Sequence, residues 1–400
     1  MGQRKGNIYA VMLAATTWVV SGSLLSPVYA LYIRDLGASA VQIGLIFSLR
    51  AFLPFILRIP LTLLGERVGR VRMLFAGLFV SVTASTMYAY ADSFTHVLLI
   101  LLYESISFGS FNQIAMSIVS DMAPADRQGD AMGRYLTFLG LGMLLGPALC
   151  SVLVTTYNYQ QLFLVSAGFP VAGLALLALW APRVTGTVRA PEEPVLSVGE
   201  SLRMILGNRN VLLLSFCRAS FATSQSLFFT LFSLYANEGL HMSESTIAML
   251  FTLRGLTNTL ARFPAGRISD RIGRRKPMVA AYGLLVVSFM MTALTRNVTL
   301  IAVAMIFYGF SWGTRAVSEW AFLTDLVEPE IKSLSISYLS SVFSLGATVG
   351  SVLAGVLTVF MPYTSIFMLA GAIVLPPIPA IMMMRKRDIN QIAEPASPRS

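Results

Sequence analysis

Charge is what this 400-residue chain has least of: Asp, Glu, Lys and Arg make up only 12% of it, while 56% is hydrophobic and the mean hydropathy is +0.71. Soluble domains carry roughly 25% charged residues, so a soluble enzyme is excluded. Cysteine is nearly absent too. Cys150 and Cys217 both sit inside long apolar runs, which rules out a disulfide-stapled secreted domain and makes both reduced packing residues. The two histidines, His96 and His241, lie in separate loops without neighbouring cysteines, and the 20 methionines form no clustered pairs, so no metal is expected. There is no G-x-x-x-x-G-K-[ST] loop and no polar segment long enough for a nucleotide-binding domain, so a pump driven by nucleotide hydrolysis is excluded. Neither a cofactor nor a catalytic residue is called for.

Long apolar runs are what the chain has instead. A bilayer core takes about 20 apolar residues as a helix, or about 10 alternating residues as a strand. The runs lack period-two alternation, which disfavours an outer-membrane barrel. From break to break the sequence predicts helices near 8–33, 42–64, 72–91, 97–120, 132–155 and 162–181. A second set follows near 211–236, 246–267, 277–295, 299–324, 333–360 and 364–384. The first run is too long for a signal-peptide core and ends in no small-residue cleavage site, so it is expected to remain in the mature protein. The fold class expected is an all-α integral membrane protein of twelve transmembrane helices.

The net charge of +10, set among such runs, points to a lipid bilayer rather than to nucleic acid. Outside the spans, Lys and Arg gather on one side, from Arg67, Arg70 and Arg72 through Arg271, Arg274 and Arg275 to Arg385, with only Arg34 and Arg296 opposite. By the positive-inside rule the basic side is cytoplasmic and both termini lie there, in a prokaryotic inner membrane. One connection, 182–210, is polar and carries Pro182, Pro191 and Pro194. It reads as a linker between a bundle at 1–181 and a bundle at 211–384, with a tail at 385–400.

The two halves repeat. At an offset of 204, Ile43, Phe47, Arg50, Arg58, Pro60, Arg67, Gly69 and Arg70 fall on Ile247, Phe251, Arg254, Arg262, Pro264, Arg271, Gly273 and Arg274. Asp121 falls on Asp325, Gly142 on Gly346 and Gly146 on Gly350. In the first helix of each half the offset is 203, pairing Ser21, Ser23, Leu31 and Tyr32 with Ser224, Ser226, Leu234 and Tyr235.

The loop after the second helix of each half resembles the signature of the major facilitator superfamily, G-x-x-x-D-R-x-G-R-[RK]. The second copy is complete in Gly266, Asp270, Arg271, Gly273, Arg274 and Arg275. The first keeps Arg67, Gly69 and Arg70 but has Thr62, Glu66 and Val71 at the remaining positions. The resemblance covers the whole chain in helix count, linker and repeat. It implies two pseudo-symmetric six-helix bundles that rock about a central site, with these loops acting as gating latches on the cytoplasmic side. The other reading of the loop arginines is that they only fix topology. On the fifth helix, Gly133, Gly142, Gly146 and Pro147 resemble the G-x8-G-x3-G-P motif of drug/proton antiporters, with Cys150 and Ser151 replacing its closing glycines.

Eight ionisable residues lie within the spans: Arg50, Arg58, Glu104, Arg218, Arg254, Arg262, Arg315 and Glu319. An arginine facing lipid at mid-depth costs about 2.5–3.5 kcal/mol, so these face protein or a wet cavity. Arg315 and Glu319 share a helix face and form an ion pair or serve transport. Glu104 either meets Arg50 or carries a proton, and Glu319 is the second proton-coupling candidate. Arg58 and Arg262 look like the arginine pair of nitrate porters; they either clasp an anion or anchor the adjacent loops, and the porters' Asn-containing glycine motif is missing. The family's central helices put Trp18, Tyr29, Asn112, Gln113, Gln225 and Trp312 among cavity candidates, alongside the six arginines. The expectation is a proton-coupled exporter of small amphipathic or organic-anion compounds, acting as a monomer. The alternative is an anion uniporter or importer. Partners are thus a small-molecule substrate, protons and the bilayer.

Overall fold

The computed structural model describes residues 2–123, 127–180, 198–328 and 331–384. Most of the expected linker and the tail at 385–400 lie outside the described residues.

The first half runs through α1 (Gly2–Leu24), α2 (Tyr29–Asp35), α3 (Ala40–Val68), α4 (Arg70–Ala89), α5 (Phe94–Met122), α6 (Gln128–Leu153) and α7 (Tyr159–Leu179). After the short α8 (Val198–Gly207), the second half follows as α9 (Arg209–Leu234), α10 (Glu244–Ile272), α11 (Arg275–Leu294), α12 (Val298–Leu326), α13 (Lys332–Leu357), α14 (Tyr363–Ile373) and α15 (Pro377–Met383). Ten spans are long and apolar enough to cross a membrane, one of them formed by α14 and α15 together; the bent pair α1 and α2 makes an eleventh. The remaining long helix, α10, has the length to cross but is less apolar than the others, and it lies packed along α12 and α6. Those twelve spans form the two bundles.

Local sequence sets the ends. Ser39 caps α3 in a reciprocal box with Gln42, and Asn158 does the same for α7 with Gln161. Ser93, Asn208, Ser243 and Asn297 cap α5, α9, α10 and α12, each satisfying backbone N–H groups that the helix itself leaves unpaired. The first span differs from the continuous helix expected over 8–33: it breaks between Leu24 and Tyr29 and turns by 47°. Pro27 cannot donate to the ladder there, and its own carbonyl accepts the Ser233 hydroxyl at 2.7 Å. A second difference lies in the connection read as a polar linker, which ends in α8, a helix with Ser201 and Ile205 buried.

The repeat is visible as equivalent packing. A Cβ on Gly142 would lie 2.9 Å from the Val19 Cβ and 3.0 Å from the Thr16 carbonyl oxygen, so α6 packs directly on α1. Gly346 would put a Cβ 2.8 Å from the Ala219 carbonyl oxygen and 3.0 Å from the Ala222 Cβ, which joins α13 to α9 at the equivalent positions. Small residues are the general means of bringing membrane helices this close.

Contacts between the halves lie away from the basic loops. Arg34 pairs with Glu238 at 3.1 Å, the Ser245 hydroxyl donates to the Ser151 carbonyl at 2.6 Å, and the Tyr159 hydroxyl donates to Glu244. Near the same face α3 crosses α13 so tightly that a Cβ on Gly44 would sit 2.7 Å from the Gly355 Cα. The space between them is closed at the face opposite the basic loops.

Candidate functional site

A cavity of about 580 Å³ lies between the bundles at mid-depth. Trp18, Gly22 and Ser26 enter it from α1 and its break, Asn112 and Gln113 from α5, Gln225 and Phe229 from α9, and Trp312 from α12. Its charge comes from α3 and α10 alone. Arg50 and Arg58 sit eight residues apart on α3, Arg254 and Arg262 eight apart on α10, so each pair occupies one side of the cavity two helical turns long. Among the described residues no Asp or Glu lines it.

The four arginines have different surroundings. The Arg50 guanidinium lies 4.9 Å from the Tyr29 ring centre and 5.0 Å from that of Phe108. Behind it the Tyr29 hydroxyl donates to the Tyr88 hydroxyl at 3.2 Å, and Tyr88 donates to a Glu104 carboxylate oxygen at 3.1 Å. Arg50 and Glu104 make no direct ion pair but both line a small pocket of about 20 Å³, which also touches Ser21, Ser85 and Ser166. This is the relation between Glu104 and Arg50 considered from sequence, with two phenols between them. Among the described residues no acid pairs with Arg254. Its guanidinium stands 5.1 to 5.4 Å from the ring centres of Phe229, Phe251, Trp312 and Tyr308. Each such contact contributes about 0.5–2 kcal/mol. One terminal nitrogen of Arg254 is buried without a hydrogen-bond partner. Toward the basic face, Arg262 donates to the Asn258 side-chain oxygen at 3.1 Å, and Arg58, half-buried, has no hydrogen bond or ion pair among the described residues.

Arg218, Arg315 and Glu319 do not line this cavity. They form a separate cluster inside the second bundle, where fully buried Glu319 accepts from Arg218 of α9 at 2.8 Å and pairs with Arg315 one turn before it on α12. Phe221, Trp320 and Phe343 cover the two guanidiniums. The intrahelical pair was legible in the sequence; the third member comes from another helix. A carboxylate between two buried guanidiniums and beneath aromatic rings locks α9 to α12.

The remaining candidates fall into place as follows. Asn112 accepts from the Tyr135 hydroxyl at 2.7 Å, and the Gln225 side-chain oxygen is buried without a partner. Trp18 donates to Ser107 at 3.0 Å. At the basic face Arg70 bridges Glu66, at 3.7 Å, and Asp121, and also donates to Ser117 at 2.8 Å. Its repeat partner Arg274 bridges Asp270 and Asp325, the latter at 3.1 Å. Gly69 and Gly273, at φ 111° and 87°, make the reversals that bring each arginine back over its own bundle. Arg67 and Arg271 are exposed and Arg275 is half-buried. On α6, Gly133 meets nothing, Gly142 and Gly146 lie against α1, and Pro147 reaches the cavity lining. Among the described residues no group of three or more His, Cys, Asp or Glu is placed to hold a metal.

Sequence reasoning missed Tyr88, Asn258, Phe229 and Tyr308. Two of them had a signal: Asn258 is one turn before Arg262, and Tyr308 occupies, at the 204 offset, the position of Glu104.

Two pseudo-equivalent six-helix bundles around a mid-depth cavity, closed at the face opposite the basic loops, have the architecture of a secondary transporter. The chain belongs to the Major Facilitator Superfamily, whose family model matches residues 10–242 and 214–397. Among curated proteins it is similar to the uncharacterized MFS-type transporter MJ1560 of Methanocaldococcus jannaschii, 20% identical over 76% of this chain and 78% of that one. It is also 24% identical to the multi-drug resistance efflux pump PmrA homolog of Lactococcus lactis, over 92% of this chain and 94% of that one. Among solved structures, a bacterial homolog of the human lysosomal transporter Spinster, crystallised inward-facing and unoccupied, matches with a TM-score of 0.74 at 16% identity, over 95% of each chain. The protein is therefore a multi-pass membrane transporter.

Proposed function

We propose that this transporter exports small amphipathic organic anions in exchange for protons, by alternating access. The observation that carries the reading is the cavity lining: four arginines, two from each bundle, and no carboxylate. A guanidinium in a low-dielectric wall attracts an anion strongly and repels a cation, and its planar fork suits a carboxylate, sulfonate or phosphate. The aromatic and aliphatic part of the lining suits an apolar body, and its Ser, Thr, Asn and Gln side chains offer further hydrogen bonds. Export is supported by the likeness to a relative named as an efflux pump. Proton coupling is supported by Glu104, connected to the cavity wall through Tyr88 and Tyr29.

In this reading 1–181 and 211–384 are the moving bundles, 182–210 the linker and 385–400 a tail. The chain works as a monomer in a prokaryotic inner membrane, with the basic face and both termini in the cytoplasm, and the Arg70 and Arg274 clusters act as latches there. A second reading, an anion uniporter or importer, is favoured by one observation: Glu104 stands behind Arg50, outside the main lining.

Proteoliposomes with an entrapped pH-sensitive dye test both. A small aryl sulfonate is expected to drive proton movement opposite to its own, and Glu104→Gln to abolish that movement. Sulfonate flux without proton flux assigns the uniporter. Flux of an amphipathic cation with none of the sulfonate overturns the anion reading.

A further inference from the structure

The cavity's repeat symmetry is broken at one charged position. At the 204 offset Arg50 corresponds to Arg254, Phe47 to Phe251 and Phe108 to Trp312, so cation and rings are preserved. The register is supported by contact as well as by sequence: a Cβ on Gly109 would lie 3.0 Å from the Leu57 Cβ, and one on Gly313 would lie 3.0 Å from the Ala261 Cβ, the equivalent pair. In that register the equivalent of Glu104 is Tyr308, and the equivalent of Tyr88, which holds Glu104, is Thr292. The first bundle therefore supplies its own counter-charge to Arg50, and the second supplies none to Arg254. Among the described residues the one fully buried acid of the second bundle, Glu319, is already held by Arg218 and Arg315. Arg254 is left with four ring faces and a buried, unbonded nitrogen.

Rings satisfy a guanidinium's faces but not its in-plane N–H donors. What completes Arg254 is an acceptor carrying negative charge, brought in from the cavity. Phe229 and Trp312 belong both to the Arg254 cage and to the cavity lining, so a flat aromatic group beside the anion would meet rings already held in place.

We propose that the cavity is polarised: Arg254 anchors the single anionic group of an aromatic sulfonate or carboxylate, and Tyr308 is the specificity-determining residue that keeps Arg254 free for it. This rests on the anion reading given above and adds which of the four arginines carries it. Arg50, balanced by Glu104, is not the anchor.

The test is calorimetric binding to the purified full-length protein of naphthalene-2-sulfonate and of its uncharged analogue, naphthalene-2-sulfonamide. Wild type is expected to prefer the sulfonate by about tenfold or more. Tyr308→Glu, which installs the counter-charge that the first bundle has, is expected to bring the ratio near one. Tyr308→Phe is expected to keep it and serves as the control that substitution at this position is tolerated. Arg254→Gln is expected to lose the preference and Arg50→Gln to retain it. A wild type without any preference overturns the anion reading itself. A wild-type preference that survives Tyr308→Glu and Arg254→Gln, or that is lost in Arg50→Gln or Tyr308→Phe, overturns the polarity while leaving the anion reading intact.

Discussion

Glu319→Gln separates a structural ion cluster from a transport residue. Glu319 is fully buried, accepts from Arg218 at 2.8 Å and pairs with Arg315, so its charge neutralises one of two guanidiniums that have no other acid within reach. Removing one member of a buried pair costs about 3–5 kcal/mol, chiefly because the partner charge stays buried without compensation. Two such partners remain here, which puts the cost at the upper end. If the second bundle melts as a cooperative unit of ordinary domain size, at roughly 2–4 °C per kcal/mol, the midpoint falls by roughly 10–20 °C. The assay is thermal unfolding in one detergent, followed by near-UV circular dichroism. A triple variant, Arg218→Met with Arg315→Met and Glu319→Leu, is expected to recover most of the loss, because well-packed apolar side chains replace a buried ion cluster at little or no cost. Glu104→Gln is expected to shift the midpoint far less: an amide oxygen still accepts from Tyr88, and Arg50 is not in direct contact with the carboxylate. The reasoning is refuted if Glu319→Gln melts within about 2 °C of wild type, or if the triple variant is as unstable as the single one.

Two glycine substitutions separate packing within a bundle from packing between bundles. Gly146→Val drives a branched side chain into the α1 backbone, where even a Cβ lies 2.7 Å from the Leu24 nitrogen; a loss of about 1–3 kcal/mol is expected, measured as a lower melting midpoint. Gly44→Val meets the Gly355 backbone across the halves instead, so the bundles are expected to keep their melting midpoint while the sealed face opens. A cysteine introduced in place of Ser233, which is buried at that face against the Pro27 carbonyl of the other half, then labels faster with an impermeant maleimide added on the side away from the basic loops; unchanged labelling counts against a seal made there.

The sequence was most informative where one dimension suffices. Span length, the polar break and the constant offset of the repeat depend only on order along the chain; the caps at Ser39, Asn158 and Ser243, local though they are, went unread, and the helices start two or three residues before the apolar runs suggested. The break in the first span is a local effect of Pro27, yet it escaped an apolar run read as continuous. The candidate site was half legible. That six arginines had to avoid lipid followed from composition, and Arg315 with Glu319 from their spacing. Which arginine meets which partner did not follow, because Arg218 reaches Glu319 from a different helix and Glu104 reaches toward Arg50 through Tyr88 and Tyr29.

By itself, then, the sequence determined that this chain spans a bilayer many times, that it is duplicated, and that it holds more buried positive charge than negative. Hydrophobic length, repeat and charge are sums along the chain, and no fold is needed to take them. Only the tertiary structure decided which of the buried charges are spent on one another. It assigned Arg218, Arg315 and Glu319 to a closed cluster, backed Arg50 with Glu104, and left Arg58, Arg254 and Arg262 on a cavity without a carboxylate. The reason is one of range: in a low-dielectric interior a charge is governed by what lies within a few ångströms, and those neighbours come from other helices.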